Sequence, residues 1–132
     1  MTKIKKVDEK ASIAQGKELF KNYHRLSRMA GIKLTDPETP QFETIQPTNH
    51  DQTETNQLNP RNIVSEINKA MLLLSDISLN VLFYTYCSST KLTHYQISAK
   101  VGYAEGSIDK MLKIALTEFI ECYKNGELLV YK

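Results

Sequence analysis

The segment over 93–123 constrains the fold more than any other part of the sequence, because it predicts two helices joined by a tight turn. Thr93 and Gln96 have the spacing of a capping box. In such a box the threonine hydroxyl accepts from the backbone N–H of the glutamine, and the glutamine side chain accepts from the backbone N–H of the threonine. The pair predicts a short helix over 94–101.

Ser98 and Gly102 predict the turn that follows this helix. The small side chain of Ser98 allows a second helix to cross closely, and Gly102 can adopt the positive φ that a tight helix-turn-helix requires. We expect Tyr103 and Ile108 to pack the hinge. A longer helix is predicted over about 105–123, because apolar residues recur there every three or four positions. Its expected buried positions are Ile108, Met111 or Leu112, Ala115, Phe119 and Cys122.

A helix-turn-helix indicates a DNA-binding protein, since its second helix lies in the major groove with its N-terminal residues nearest the base edges. Lys110 and Lys113 suit phosphate or guanine contacts, while Glu105 or Asp109 can accept from cytosine amino groups. The two carboxylates also repel phosphate, so a helical packing unit without DNA affinity is an alternative. The expected DNA-contacting residues are Thr93, His94, Tyr95, Glu105, Gly106, Ser107, Asp109, Lys110 and Lys113.

Two further helices are predicted before this segment. Asn59 and Pro60 have the character of an N-cap and a first helical residue, and apolar residues at helical spacing continue to about residue 75. The next helix ends near Ser88 and has two candidate caps, Asp76 and Ser78. Together with the helix-turn-helix these elements form a C-terminal helical bundle, so the expected fold class is all-α.

The N-terminal region carries most of the positive charge. Residues 1–35 hold nine Lys or Arg against three acids, 36–59 hold five acids and no Lys or Arg, and 60–132 hold eight bases against seven acids. Apolar spacing predicts one amphipathic helix over about 8–30, which Gly31 ends. A basic helix can supply phosphate affinity whatever the base sequence, or its charges can simply solvate a helix face. The basic face consists of Lys10, Lys17, Lys21, Arg25 and Arg28.

The stretch over 32–58 is rich in Thr, Pro, Gln, Asn and acids and shows no apolar period. Its few apolar residues cannot offset the entropy of ordering it, so we expect a flexible linker that lets the basic helix move relative to the rest. Phe42 and Ile45 are candidates for a local anchor. The expected organisation is a basic amphipathic helix over 1–31, this linker, and a helical helix-turn-helix domain over 59–132.

Three sequence segments carry a resemblance to a known family: RLSRMAGIKLTD near the end of the basic helix, TYCSSTKLTHYQISAKVGYAEGSIDKMLKIALTEF, and the closing ECYKNGELLVYK. In these segments the chain resembles the ArpU family of phage-associated transcriptional regulators, which occur in phages and prophages of low-GC Gram-positive bacteria. The resemblance implies a C-terminal helix-turn-helix like region 4 of sigma factors. It also implies control of phage late genes or, as for the family's namesake, of autolysin production or export, and no enzymatic chemistry.

The chain departs from the family pattern at the start of the second helix of the motif. Ala104 occupies the cap, where the family usually has serine, and Gly106 and Asp109 stand where longer basic or aromatic residues are common. The resemblance therefore implies the fold and not an operator sequence.

The sequence contains no recognisable catalytic or metal-binding motif. His24, His50 and His94 lack metal-ligand spacing, and the phosphate-binding, dinucleotide-binding, hydrolase and zinc-protease motifs are absent. Cys87 and Cys122 lie far apart in the sequence, among apolar neighbours. We therefore expect them to be buried thiols that pack as small hydrophobic residues, in a protein of the reducing bacterial cytoplasm. We expect no enzyme, no cofactor, no metal and no membrane association.

The expected partner is double-stranded DNA, with RNA polymerase and a second copy of the chain as further candidates. Two alternatives to transcription control remain. One is a protein-interaction module that binds RNA polymerase or a phage protein, and the acids Glu105 and Asp109 favour it. The other is a DNA-packaging protein of the small-terminase kind. Such proteins generally carry the motif at the N-terminal end, which disfavours this role.

Overall fold

The computed structural model describes residues 6–33, 42 and 59–131. The all-α prediction is confirmed for this part of the chain, in which the only β-type pairing is one isolated bridge. The helices in chain order are α1 (Glu9–Lys21), α2 (Tyr23–Met29), α3 (Pro60–Met71), α4 (Asp76–Leu82), a π-helix (Phe83–Cys87), α5 (His94–Val101), a 3-10 turn (Glu105–Ser107), α6 (Ile108–Cys122) and a last 3-10 turn (Tyr123–Asn125).

The N-terminal segment is two helices and not the single helix that the apolar spacing predicts. The break lies at Asn22, whose backbone N–H donates to the Leu19 carbonyl at 3.1 Å and whose side chain donates to the Glu18 carbonyl at 3.0 Å. An asparagine that bonds the preceding turn competes with the helical bonds of its own position. Gly31 ends α2 with φ +74°, as predicted.

α3 begins as predicted and ends early. The Asn59 side chain accepts from the N–H of Arg61 at 2.8 Å, and Pro60 takes the first helical position. The helix ends at Met71, short of residue 75, because the backbone then tightens: Leu74 N–H donates to the Met71 carbonyl three residues back at 3.2 Å.

α4 is capped by Ser75, and the two predicted caps, Asp76 and Ser78, are wrong. The Ser75 hydroxyl accepts from Ser78 N–H at 3.4 Å. All three side chains are able to cap a helix, and Glu118 of α6 favours this one. Its carboxylate accepts from the Ser75 N–H at 3.4 Å, the Ser75 hydroxyl at 3.2 Å and the Ser78 hydroxyl at 2.8 Å. The same bonds hold α6 against the start of α4.

The helix that starts at Asp76 ends next to Ser88, as predicted, but its last turn is π-helical. The Ser88 N–H donates to the Phe83 carbonyl, five residues back, at 2.9 Å. Leu82 and Phe83 are buried, and the next buried positions are Cys87 and Ser88. The π-helix thus changes the interval between core positions from four residues to five.

The N-terminal helices are part of the common core. Phe20 of α1 is 2% exposed and lies with its ring centroid 5.1 Å from Tyr86 and 4.5 Å from Phe119. Tyr23 of α2 is buried, and its hydroxyl bonds the Asn68 side chain of α3 at 3.2 Å. The prediction that this segment moves relative to the rest is therefore wrong for α1 and α2. The composition of the linker does not prevent docking, because the N-terminal helices bury their aromatic residues in the core whatever connects them to it.

The region before α1 is joined to the region after α6. Val7 forms an antiparallel bridge with Tyr131, and Asp8 N–H donates to the Val130 carbonyl at 2.7 Å. The buried hydroxyl of Ser12 accepts from the Val130 N–H at 2.8 Å. These bonds hold α1 in place from its first turn.

Phe42 is half-buried and packs edge-on against Phe83, with the ring centroids 5.8 Å apart. This contact agrees with the anchor predicted at Phe42. Ile45, and the rest of the predicted linker apart from residues 32 and 33, lie outside the described residues.

Candidate nucleic-acid interface

α5 has the bounds that its capping box predicts. The Thr93 hydroxyl accepts from Gln96 N–H at 3.1 Å, and Thr93 N–H donates to the Gln96 side chain at 2.8 Å. The helix spans His94–Val101 and buries Ile97, which is 2% exposed. Of the predicted DNA-contacting residues at this end, Thr93, His94 and Tyr95 are exposed, and Tyr95 retains 69% of its surface.

The turn after α5 depends on Gly102, which has φ +80° and ψ +23°. Its N–H donates to the Ser98 carbonyl at 2.9 Å, and the Tyr103 N–H reaches the same carbonyl at 3.3 Å. Ser98 is buried, and its hydroxyl donates to the Tyr95 carbonyl at 2.8 Å. Of the two residues predicted to pack the hinge, Ile108 has no exposed surface, whereas Tyr103 is 46% exposed.

Gly102→Val is expected to lower the free energy of unfolding by roughly 1 to 3 kcal/mol, because a β-branched residue is strained at positive φ. Beyond the adjacent residues, no atom lies within 4 Å of the place that a Cβ would take here, so the loss is one of backbone strain and not of a side-chain clash. Gly102→Asn is the matched control, since asparagine tolerates this conformation better. Thermal and denaturant unfolding of the two variants provides the measurement. Equal losses for valine and asparagine would contradict the strain argument.

α6 begins at Ile108, three residues later than predicted. The residues 105–107 form a 3-10 turn, in which Ser107 N–H donates to the Ala104 carbonyl at 2.9 Å. Ala104 has no side-chain oxygen to accept from the first free N–H groups of the helix, so the tighter i→i+3 pattern satisfies one of them. Glu105 and Gly106 are exposed on this turn, and Ser107 is half-buried.

The buried positions of α6 agree with the prediction in part. Ile108, Ala115 and Phe119 are buried as expected, while the predicted Met111, Leu112 and Cys122 are half-buried. Two residues that the prediction missed, Leu116 and Ile120, complete the buried face. They face Gly16 of α1: a Cβ built on this glycine would lie 2.9 Å from Ile120 Cγ2 and 3.6 Å from Leu116 Cδ2. α1 thus covers a side of α6 that the sequence prediction did not include.

The structure brings the first residue of α5 next to the first turn of α6. His94 Nε2 lies 3.7 Å from Asp109 Oδ1, an ion pair when the imidazole is protonated. Asp109, Lys110 and Lys113 are exposed on α6 beyond this contact. Neither lysine forms an ion pair with a residue that the structure describes. The predicted contact residues therefore surround one exposed helix start that presents two lysines to solvent.

A groove of about 1020 Å³ lies beside this surface, between α1 and α6. Lys113 and Asp109 line it from α6, and Lys10 and Lys17 line it from α1. Sequence reasoning placed these last two lysines on an independent arm. The signal that could have joined them to α6 was Gly16, since a glycine within an amphipathic helix often has a packing reason.

The described residues contain no cluster of three or more side chains suited to hold a metal ion. Burial raises the pKa of the Cys87 thiol well above its usual range, and burial together with Glu121 and Glu118 raises that of Cys122. Both groups are protonated thiols at neutral pH, which makes them poor nucleophiles. Each described helix falls short of the length and hydropathy that a membrane-spanning segment needs.

The chain is similar to a protein of Enterococcus hirae described as "Putative autolysin regulatory protein ArpU". The two are 35% identical over 137 residues, and the alignment covers 100% of each chain. No family model matches the chain, and no solved structure matches it. The similarity therefore extends over α1 and α2 as well as over α5 and α6.

Proposed function

The chain belongs to the ArpU family, and on that premise we propose that it is a DNA-binding transcriptional regulator of phage or prophage genes. The relative's name describes a regulatory protein, and regulation of transcription requires recognition of DNA or of polymerase. In this proposal α5 and α6 form a helix-turn-helix like that of sigma factor region 4. The protein acts on double-stranded DNA in the cytoplasm of the bacterial host and needs no cofactor.

The observation that carries the proposal is the joint of α5 and α6. The capping box at Thr93, the left-handed Gly102 and the buried Ser98 hold two helices at a tight turn. In a helix-turn-helix the residues after such a turn lie nearest the base edges. Here these residues are exposed and include Lys110 and Lys113.

Each exposed residue at the start of α6 has a role under this proposal. Lys110 and Lys113 contact phosphate or the acceptor atoms of guanine, and Glu105 accepts from a cytosine amino group. Gly106 presents no side chain, so it permits close approach of the sugar-phosphate backbone. The neighbouring His94 lowers the repulsion between Asp109 and phosphate when its imidazole is protonated.

Selection of random duplex DNA by the purified protein tests the proposal. We expect enrichment of one family of related sequences, and tighter binding to an enriched duplex than to the same duplex with its bases shuffled. The salt dependence of binding should be steep for both, because phosphate contacts release counterions. Failure to enrich any sequence, together with equal affinity for both duplexes, would contradict sequence-specific regulation.

A protein-interaction module is the second candidate, and an exposed apolar surface favours it. Leu72, Leu73 and Ile77 at the α3–α4 turn are 49%, 71% and 45% exposed. Surface residues of this kind are enriched at protein contacts when they lie together. A Leu73→Ser/Ile77→Ser variant that loses affinity for purified RNA polymerase, while the protein selects no DNA sequence, would favour this candidate over the first.

A further inference from the structure

The groove between α1 and α6 extends the surface that the proposed function assigns to DNA. We infer that this groove receives the phosphate backbone of the bound duplex, with Lys10 and Lys17 on one wall and Lys113 on the other. The inference rests on the proposed function and deepens it. In it, Lys10 and Lys17, which lie outside the helix-turn-helix, contact DNA at a fixed position along the recognised sequence.

The groove is continuous with the start of α6. Lys113 and Asp109 belong both to the groove and to the face that follows the turn. The lining of the groove also includes apolar side chains, among them Ile13 and Leu112. A cation beside apolar protein surface interacts more strongly with an anion than a cation in open water does, because the surrounding dielectric is lower.

The lysines of α1 suit a run of phosphates along one strand. Lys10 and Lys17 are seven residues apart on a helix, which places them about 10 Å apart along its axis. Successive phosphates of one strand rise about 3.4 Å along the duplex axis, so this spacing spans several of them. Both lysines are exposed, and neither forms an ion pair with a described residue.

Two of the three carboxylates of the groove, unlike its lysines, have partners. Asp8 caps α1 by accepting from the Ala11 N–H at 3.1 Å, and Asp109 faces His94 at 3.7 Å. Glu9 is exposed in the first turn of α1 and has no ion-pair partner among the described residues. Glu9 is therefore the side chain that opposes phosphate binding, and its neutral variant should act in the opposite direction to loss of the lysines.

The packing of α1 gives the inference its sharpest consequence. Gly16 lies against Ile120 and Leu116, so the two walls of the groove belong to one rigid core and not to a free arm. A free basic arm would contact phosphates at many positions, whereas a docked helix contacts the same phosphates in every complex. The contacted phosphates should therefore map to one place beside the major-groove site.

A methylphosphonate scan tests this with the full-length protein and its selected duplex. Each duplex carries one neutral methylphosphonate in place of a phosphate, and affinity is measured for the wild type and for Lys10→Gln/Lys17→Gln. We expect methylphosphonate substitution at one small group of positions to weaken binding by the wild type and to have no effect on binding by the variant. The variant's salt slope should also fall by about one for each lost contact. Glu9→Gln should raise affinity and keep the wild-type pattern of sensitive positions.

The matched control is Lys33→Gln/Lys69→Gln, which also removes two exposed lysines, one after α2 and one from α3. It should leave the pattern of sensitive positions unchanged. Melting of all variants at the wild-type temperature shows that the fold is retained. An unchanged pattern in Lys10→Gln/Lys17→Gln would overturn the groove assignment and leave the helix-turn-helix proposal standing. A wild type that binds no duplex would overturn both.

Discussion

Phe20→Ala is expected to lower the free energy of unfolding by about 3 to 5 kcal/mol, the usual cost of truncating a fully packed phenylalanine. Phe20 is 2% exposed and lies between Tyr86 of the π-helix and Phe119 of α6. Its removal opens a cavity where three elements meet. Domains of this size are stable by about 5 to 15 kcal/mol, so the variant should lose a large fraction of the stability of the protein.

Denaturant unfolding of wild type and variant measures this loss, and Phe42→Ala is the control. Phe42 is half-buried and makes an edge contact with Phe83, so the same truncation should cost less there. A loss under about 1 kcal/mol for Phe20→Ala, the size expected of a surface substitution, would mean that α1 is not part of the core. That result would restore the free basic arm that the linker composition predicts.

Lys110→Ala/Lys113→Ala is expected to abolish specific DNA binding while leaving the melting temperature unchanged. Both side chains are exposed on α6, on the side away from the buried Ile108 and Phe119, so their loss removes no packing. If the lysines contact phosphate, affinity should fall equally on all sequences, and the salt slope should fall by about one per contact. If either reads guanine, discrimination at one base pair should relax by roughly 1 to 3 kcal/mol.

Titrations at two salt concentrations, on the selected duplex and on its shuffled counterpart, separate these outcomes. Lys33→Ala/Lys69→Ala is the control, because it removes the same charge from a position after α2 and from α3. If the Lys110→Ala/Lys113→Ala variant bound both duplexes with wild-type affinity, the assignment of the start of α6 to the major groove would be wrong. That result would favour the second candidate function, a protein-interaction module.

Elements that depend on neighbours within four residues were predictable from the sequence. The capping box gives α5 its bounds, Asn59 and Pro60 give the start of α3, and Gly102 gives the turn. Each of these signals acts through a bond or a dihedral angle of the local backbone. The exposure of Lys110 and the burial of Ile108 follow similarly from helical periodicity.

Features that depend on distant contacts could not be predicted in this way. Three residues near its start are able to cap α4, and the contacts of Ser75 and Ser78 with Glu118, which lies 43 and 40 residues further along the chain, distinguish among them. The docking of α1 depends on the fit of Gly16 to Ile120. Because the groove exists only when α1 is docked, the sequence could indicate phosphate affinity for Lys10 and Lys17 but not their position beside α6.

The π-helix has the form of a one-residue insertion into a helix. Each residue turns an α-helix by about 100°, so one additional residue rotates everything after it by that amount unless the turn widens. In this chain the wider turn places Tyr86 against Phe20 and Cys87 in the core. A relative with a regular α-helix here would place its aromatic partner for Phe20 one position earlier. An ungapped alignment would then pair Tyr86 with the wrong residue, and a single gap within 83–87 would restore the structural equivalence.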